Sequence, residues 1–195
     1  MTHRADQDAA LIERYLAGDT AAFDDLMRAH QDRVFGVCLR MLRDRDAALD
    51  ATQETFVTVF RKADRFAGRS AFSTWLYRVA VNTCYDAART AKRRRTEQLP
   101  EASDPADPRA GDDLAAVELR PDLEAALNSL PEEFRSAVVL SDLEGLALQT
   151  IADILEVPVG TVKSRVFRGR KLLAGILGNL GGPSDPQSYE QHAQP

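Results

Sequence analysis

The chain has 195 residues, 44% of them hydrophobic and 28% charged, with a formal net charge of −5. That is enough for one large or two small globular domains, and too acidic overall for a protein that grips DNA unaided. No run approaches the roughly eighteen consecutive apolar residues of a membrane span, and the opening MTHRADQDAA lacks the apolar core of a signal peptide, so the expected location is the cytoplasm.

The charge is unevenly spread. Residues 1–95 carry 17 Lys+Arg against 13 Asp+Glu, residues 96–120 carry 2 against 7, and residues 121–195 carry 6 against 10. An acidic segment therefore separates two parts of different character. Cys38 and Cys84 lie in apolar helical stretches without C-x-x-C spacing and are expected to be reduced core thiols. The three histidines, His3, His30 and His192, make no metal-ligand or nucleophile–base spacing. No enzyme activity, cofactor, metal or small-molecule substrate is expected.

From Leu11 onward, apolar residues recur at helical spacing, and no stretch alternates like a strand, so the expected fold is all-α. Gly18 followed by Asp19 or Thr20 ends one helix and caps the next, and Asp44 to Asp46 breaks the chain before a helix over about Ala47–Ala63. On that helix Glu54, Thr58 and Arg61 share one side, while Phe56, Val59, Phe60 and Ala63 share the other. Next comes FAGRSAFSTWLYRVAVN, then a cationic end at Arg89, Lys92, Arg93, Arg94 and Arg95, with a helix expected over about Ser73–Arg94. Aromatic faces beside cations suit unpaired DNA, bases stacking and phosphates pairing, although Trp75 and Tyr77, two residues apart, cannot share one helix face. Val79 and Val81 are expected in the core.

From Thr96 to about Leu119 the prolines and acidic residues predict an extended linker. Pro121 and Pro131 then open short helices, Gly145 interrupts, and two more helices are expected over about Leu148–Leu155 and Gly160–Leu177. The expected organisation is thus two small helical domains, residues 1–95 and 121–180, joined by a flexible acidic linker, 96–120, and followed by a disordered tail, 181–195. The pair LQTIADILEVPVGTVKSRVFRGRKLL has the form of a helix-turn-helix. At about 100° per residue Val162, Val166, Gly169 and Leu173 form its second helix's buried stripe. Ser164, Arg168 and Lys171 face away, with Lys163 beside them, where a hydroxyl and long cations suit major-groove readout. Arg165 and Arg170 flank the stripe and fit phosphate or packing roles.

The ordered set DATQETF, FAGRSAFSTWLYRVAVN, an acidic linker, SLPEEFRSAVVL and VPVGTVKSRVFRGRKLL, from about Leu11 to Leu177, resembles the extracytoplasmic-function class of sigma-70-type sigma factors. Members of this class are RNA polymerase subunits that select and help open promoters, keeping only the second and fourth conserved regions. The resemblance implies region 2 over 1–95 and region 4 over 121–180. It implies that Asp50, Gln53 and Glu54 dock on the β′ coiled coil of core polymerase, with the β subunit as a further contact. It implies that the loop Ala67 to Phe72, with Asn82, accepts a flipped base of the −10 element and that Lys163, Ser164 and Arg168 contact the −35 element; with the aromatics and cations beside them, the expected −10 and melting set is Phe66, Arg69, Ser70, Ala71, Phe72, Trp75 and Asn82, and the expected −35 set is Lys163, Ser164, Arg165, Arg168 and Lys171. The linker would enter the polymerase's RNA exit region, and a cognate anti-sigma factor is an implied partner beside promoter DNA. The competing reading is a conventional helix-turn-helix regulator that is no polymerase subunit; it leaves DATQETF and the aromatic loop unexplained.

Overall fold

A computed structural model describes residues 2–63, 66, 70–97 and 121–180. The expected tail and nearly all of the expected linker lie outside them, as do Ala67, Gly68 and Arg69. The described residues form helices α1 (Thr2–Leu16), α2 (Thr20–Leu42), α3 (Arg45–Lys62), α4 (Phe72–Glu97), α5 (Pro121–Ser129), α6 (Glu132–Val138), α7 (Leu148–Leu155) and α8 (Val159–Leu180). No strand occurs among the described residues.

The helix breaks follow the turn chemistry. Gly18, at φ +101°, turns the chain between α1 and α2, a conformation open to glycine at little cost. Asp19 does not cap α2 with its side chain; Arg14 takes that carboxylate instead, at 3.0 and 2.6 Å. Asp44 does cap α3, accepting from the Ala47 N–H at 2.7 Å. The cationic helix α4 continues to Glu97, beyond the expected Arg94, and Pro131 is the cap of α6 rather than its first residue. A single π-helical turn, Val139–Leu143, follows α6 and is capped by Glu144, with Gly145 at φ +63° just beyond it.

Helices α1–α4 and α5–α8 each bury an apolar face, and the two halves also meet. One apolar cluster runs from Val34, Val37 and Leu76 through Tyr77 and Val81 into Val139, Leu140, Ile151 and Val162. Cys38 and Cys84 are free and buried within it. The neighbouring Cys38 sulfur and burial push the Cys84 thiol far above its usual range, so it stays protonated and packs as a small apolar group. Leu127, Leu130, Val138 and Leu173 belong to a smaller second cluster beneath α5.

The junction of the halves carries polar bonds as well. Tyr77 donates to Glu144 Oε2 at 2.8 Å and Tyr85 donates to Ser136 Oγ at 2.9 Å. Arg78 Nε reaches the Asp153 carbonyl at 2.9 Å. Arg135 donates to the Met41 carbonyl at 2.6 Å and the Leu130 carbonyl at 2.9 Å, while Arg43 donates to the Asn128 carbonyl at 2.7 Å. Met41 and Asn128 lie in the last turns of α2 and α5, whose C-terminal carbonyls lack helical partners and carry partial negative charge. Each half thus lends an arginine to a helix end of the other.

Candidate nucleic-acid interface

The α7–α8 pair is a helix-turn-helix built as its sequence implies. Ile151, Ala152 and Ile154 are buried on α7. Glu156, at φ +55°, turns the chain in the left-handed region, and the Val157 N–H closes on the Ala152 carbonyl at 3.2 Å. Pro158 then accepts from the N–H groups of Thr161 and Val162 at 2.8 and 3.1 Å, starting α8. Val162, Val166 and Leu173 are buried as expected. Gly169 completes the stripe at close range: a Cβ there would stand 2.6 Å from Val138 Cγ2, so α8 lies against α6 with no room for a side chain.

With that stripe inward, Lys163, Arg168 and Lys171 are exposed and Ser164 is half-buried on the outer arc. Arg165 is held more tightly, its guanidinium 3.5 Å from Glu133. Arg170 is committed to Asp142 through bonds of 2.9 and 2.6 Å, which hold the Asp142 carboxyl below its usual range. Phe167, 69% exposed, is a residue the sequence reading passed over. At about 140° from the buried stripe it falls between Lys163 and Lys171, and an aromatic in a cationic arc was the available signal.

The aromatic cluster before α4 is shared between core and surface. Phe66 lies 5.3 Å from Trp75 and 5.9 Å from Phe72, centroid to centroid, and Phe72 lies 5.9 Å from Trp75. Phe72 is only 4% exposed and rests on His30 at 5.6 Å. His30 is itself buried and bonded to the buried Asp8 of α1 at 3.0 Å. Phe72 therefore belongs to the core, while Phe66 and Trp75 are half-buried and Ser70 and Ala71 exposed. Tyr77 faces the junction, Val81 is fully buried and Val79 partly buried. Trp75, Asn82 and Arg89 follow one another at seven-residue intervals, so they rise along one face of α4, with Asn82 and Arg89 exposed.

Helix α3 presents a different surface. Asp50, Gln53 and Glu54 are exposed. Phe60, expected on the buried side, is instead 50% exposed, its ring edge-on to Phe23 at 5.2 Å and tilted against Tyr15 at 5.7 Å. The core under α3 is filled by Thr55, Phe56 and Val59, which leaves Phe60 at its rim. Leu49 and Val57, each 39% exposed, extend an apolar stripe beside the carboxylates. A groove of about 660 Å³ between α2 and α3, lined by Phe23, Met27, Phe56, Val57 and Phe60, runs along it. An exposed apolar patch rimmed by charge is the mark of a protein-binding face.

A family model for Sigma-70 region 2 matches residues 26–94, and one for Sigma-70, region 4 matches residues 120–173, together more than half the chain. The chain is 37% identical over 183 residues to the RNA polymerase sigma-H factor of Pseudomonas aeruginosa, covering 88% of this sequence and 94% of that one. It is 38% identical over 176 residues to the ECF RNA polymerase sigma-E factor of Haemophilus influenzae, covering 85% and 93%. The chain is an extracytoplasmic-function sigma factor. Its fold is similar to that of the sigma factor RpoE of Bartonella quintana, solved in complex with the anti-sigma factor NepR, with a TM-score of 0.70 and 25% identity over 80% of this chain and 96% of that one. As a sigma factor the chain acts in transcription initiation, its region 2 and region 4 being the parts that bind core RNA polymerase and promoter DNA. The stand-alone regulator reading falls away with that assignment.

Proposed function

We propose the following division of labour within this sigma factor. Residues 1–95 act as the region 2 domain, residues 96–120 as the linker into the RNA exit region, residues 121–180 as the region 4 domain and residues 181–195 as a tail. The α3 face of Asp50, Gln53 and Glu54, widened by Leu49, Val57 and Phe60, docks on the polymerase β′ coiled coil, and the β subunit receives other parts of the chain. Phe66, Arg69, Ser70, Ala71, Trp75 and Asn82 handle the −10 element, with Phe72 anchoring the start of α4 in the core beside them. Lys163, Ser164, Arg168 and Lys171, with Arg165 beside them, read the −35 element, and Phe167 adds an apolar surface for a thymine methyl.

The observation that carries this assignment is that three chemically distinct faces stay open while their backs share one core. The α3 face is apolar and acidic, the α4 face aromatic and amide, and the α8 arc cationic. The chain catalyses no reaction itself in this scheme; polymerase does. It works in the cytoplasm, where polymerase and DNA are. A cognate anti-sigma factor covers these faces when the chain is idle, a reading supported by the relative solved with its anti-sigma factor.

Magnitudes require the partner. Stacking contributes about 1–3 kcal/mol per base, against roughly 1.4 kcal/mol for each base-pair step opened. A bubble of about ten steps costs around 14 kcal/mol, beyond one pocket and a few aromatics.

Geometry requires the two halves to part. The −10 and −35 elements lie about 25 base pairs apart, or roughly 85 Å of helix axis. A compact chain of this length is about 40 Å across. The 23 residues between Glu97 and Pro121 reach roughly 80 Å when extended. The junction seen here therefore belongs to the closed state, and it separates when both elements are engaged.

The test is reconstitution. Chain plus core polymerase initiates at a cognate promoter, and replacing Asp50, Gln53 and Glu54 together with alanine abolishes co-purification with core. Undiminished binding of that variant would remove the docking assignment.

A further inference from the structure

A second cavity lies at the junction, away from all three faces. The last turns of α2 and the second half of α4 meet the start of α6 around a cleft of about 830 Å³. Four cations line it, Arg43, Lys92, Arg95 and Arg135, against two carboxylates, Asp44 and Glu132. Asp44 is engaged in capping α3. Among the described residues, none of the four cations forms an ion pair.

Arg135 is 5% exposed. Its terminal nitrogens go to backbone carbonyls, and its Nε has no hydrogen-bond partner. A guanidinium cannot shed its proton at ordinary pH, so the charge stays, and Glu132, whose field favours it, forms no ion pair with it. Burial first, then the nearby Arg43 charge, pulls the Arg135 pKa down, against an opposing pull from Glu132. Removing an ion from water without a direct ion pair is unfavourable, and the two carboxylates of the cleft leave its four cations in excess.

We infer that this cleft binds a small polyphosphate ligand, a nucleoside di- or triphosphate in chemical class, which bridges the two halves of the sigma factor. Phosphoryl oxygens suit guanidinium donors because two parallel N–H groups meet two oxygens. Four cations against two carboxylates leave the cleft with a net positive charge that the negative charges of a polyphosphate complement. The α4 wall of Ala87, Ala88 and Ala91 is apolar and without bulk, a surface on which a flat base can lie. The volume falls within the range of small-molecule sites. A DNA duplex is too wide to bring a phosphate to Arg135.

Arg43, Lys92 and Arg95 belong to one half and Arg135 to the other, so the bound ligand holds the closed state. Its effect on initiation rests on the reading that the halves must part; its binding does not.

The experiment titrates GTP, ATP and inorganic tripolyphosphate into the isolated full-length chain at constant ionic strength, followed by calorimetry and thermal melting. Expected are saturable submillimolar binding of a nucleoside triphosphate, weaker binding of tripolyphosphate, and a rise in Tm with ligand concentration. Replacing Lys92 and Arg95 together (K92Q, R95Q), both exposed, weakens binding at least tenfold while leaving the ligand-free Tm in place. Arg135→Lys keeps the charge, loses the forked donor set and weakens binding as well. Absence of binding up to about 5 mM overturns the proposal, as does affinity unchanged in the double variant. Equal stabilisation by sulfate at matched ionic strength shows an adventitious ion only and also overturns it. Displacement of the nucleotide by a short DNA duplex assigns the cations to backbone phosphates instead. Because polymerase is absent, each of these failures leaves the promoter-reading assignment standing.

Discussion

Tyr77→Phe is the sharpest probe of the closed junction. The ring of Tyr77 is 4% exposed and lies in the shared core, so phenylalanine keeps the packing and removes one hydroxyl. That hydroxyl donates to Glu144 Oε2 at 2.8 Å, from α4 to the segment between α6 and α7. Burial, then the Glu144 charge, raises the phenol's pKa far above neutrality, so the bond is intact across physiological pH. A hydrogen bond to a charged acceptor contributes about 1.5–3 kcal/mol. Glu144 is half-buried and can turn to water once released, which places the loss at the low end, about 1.5 kcal/mol. On a closed–open equilibrium that is about a tenfold rise in the open fraction. Tyr85→Phe removes the separate bond to Ser136 and adds a further loss of about 1 kcal/mol, nearly additive because the two pairs share no partner. Energy transfer between dyes on α2 and α8 reads the open fraction directly. An unchanged distance distribution in the double variant, with both halves still folded, would refute the idea that these bonds hold the halves together.

Arg168→Ala lowers discrimination at the −35 element by about 1–3 kcal/mol, seen as a loss of preference between matched and mutated elements in run-off transcription, whereas Asn82→Ala leaves −35 preference intact and reduces opening at −10. Phe60→Ser removes half-exposed apolar surface from the α3 stripe, weakening capture of core polymerase about tenfold or more while shifting the Tm by only a few degrees. Asp142→Asn exposes a pH dependence: because Arg170 depresses the folded-state carboxyl pKa, the pair's contribution is present above the unfolded value of about 3.9 and fades as pH falls through the folded value. The stabilities of parent and variant from urea unfolding then differ by about 0.5–1 kcal/mol at pH 7 and converge once the pH has fallen through the depressed folded-state value. Glu156→Gly relieves a left-handed side-chain residue at the helix-turn-helix turn and stabilises region 4 by roughly 0.5–1 kcal/mol, readable by thermal melting.

Much of the site was readable from local spacing. On α8 charge and apolarity separate cleanly around the helix, so Val162, Val166 and Leu173 declared the buried side and Lys163, Arg168 and Lys171 the open one. Asp44 announced a break because its side chain satisfies an N–H only three residues away. What stayed hidden depends on distant partners. Phe60 carries the periodicity of a core residue, but the core beneath α3 is already filled, so it ends at the rim. Phe72 reads as one wall of a base pocket, yet the Asp8–His30 pair, brought together from 22 residues apart, sits under it and draws it inward. Arg135 and Arg43 carry no local pattern that marks them. Only the meeting of two helix ends gives them their roles, and no short-range pattern encodes that meeting.

The central claim, that this sigma factor recognises the −10 element but opens it only within the polymerase, is tested most directly by permanganate footprinting of a cognate promoter on linear DNA. The account predicts reactive thymines across the −10 region with chain and core together and none with either alone. Reactive thymines with the chain alone, or none with the two combined while the promoter is bound, would contradict it.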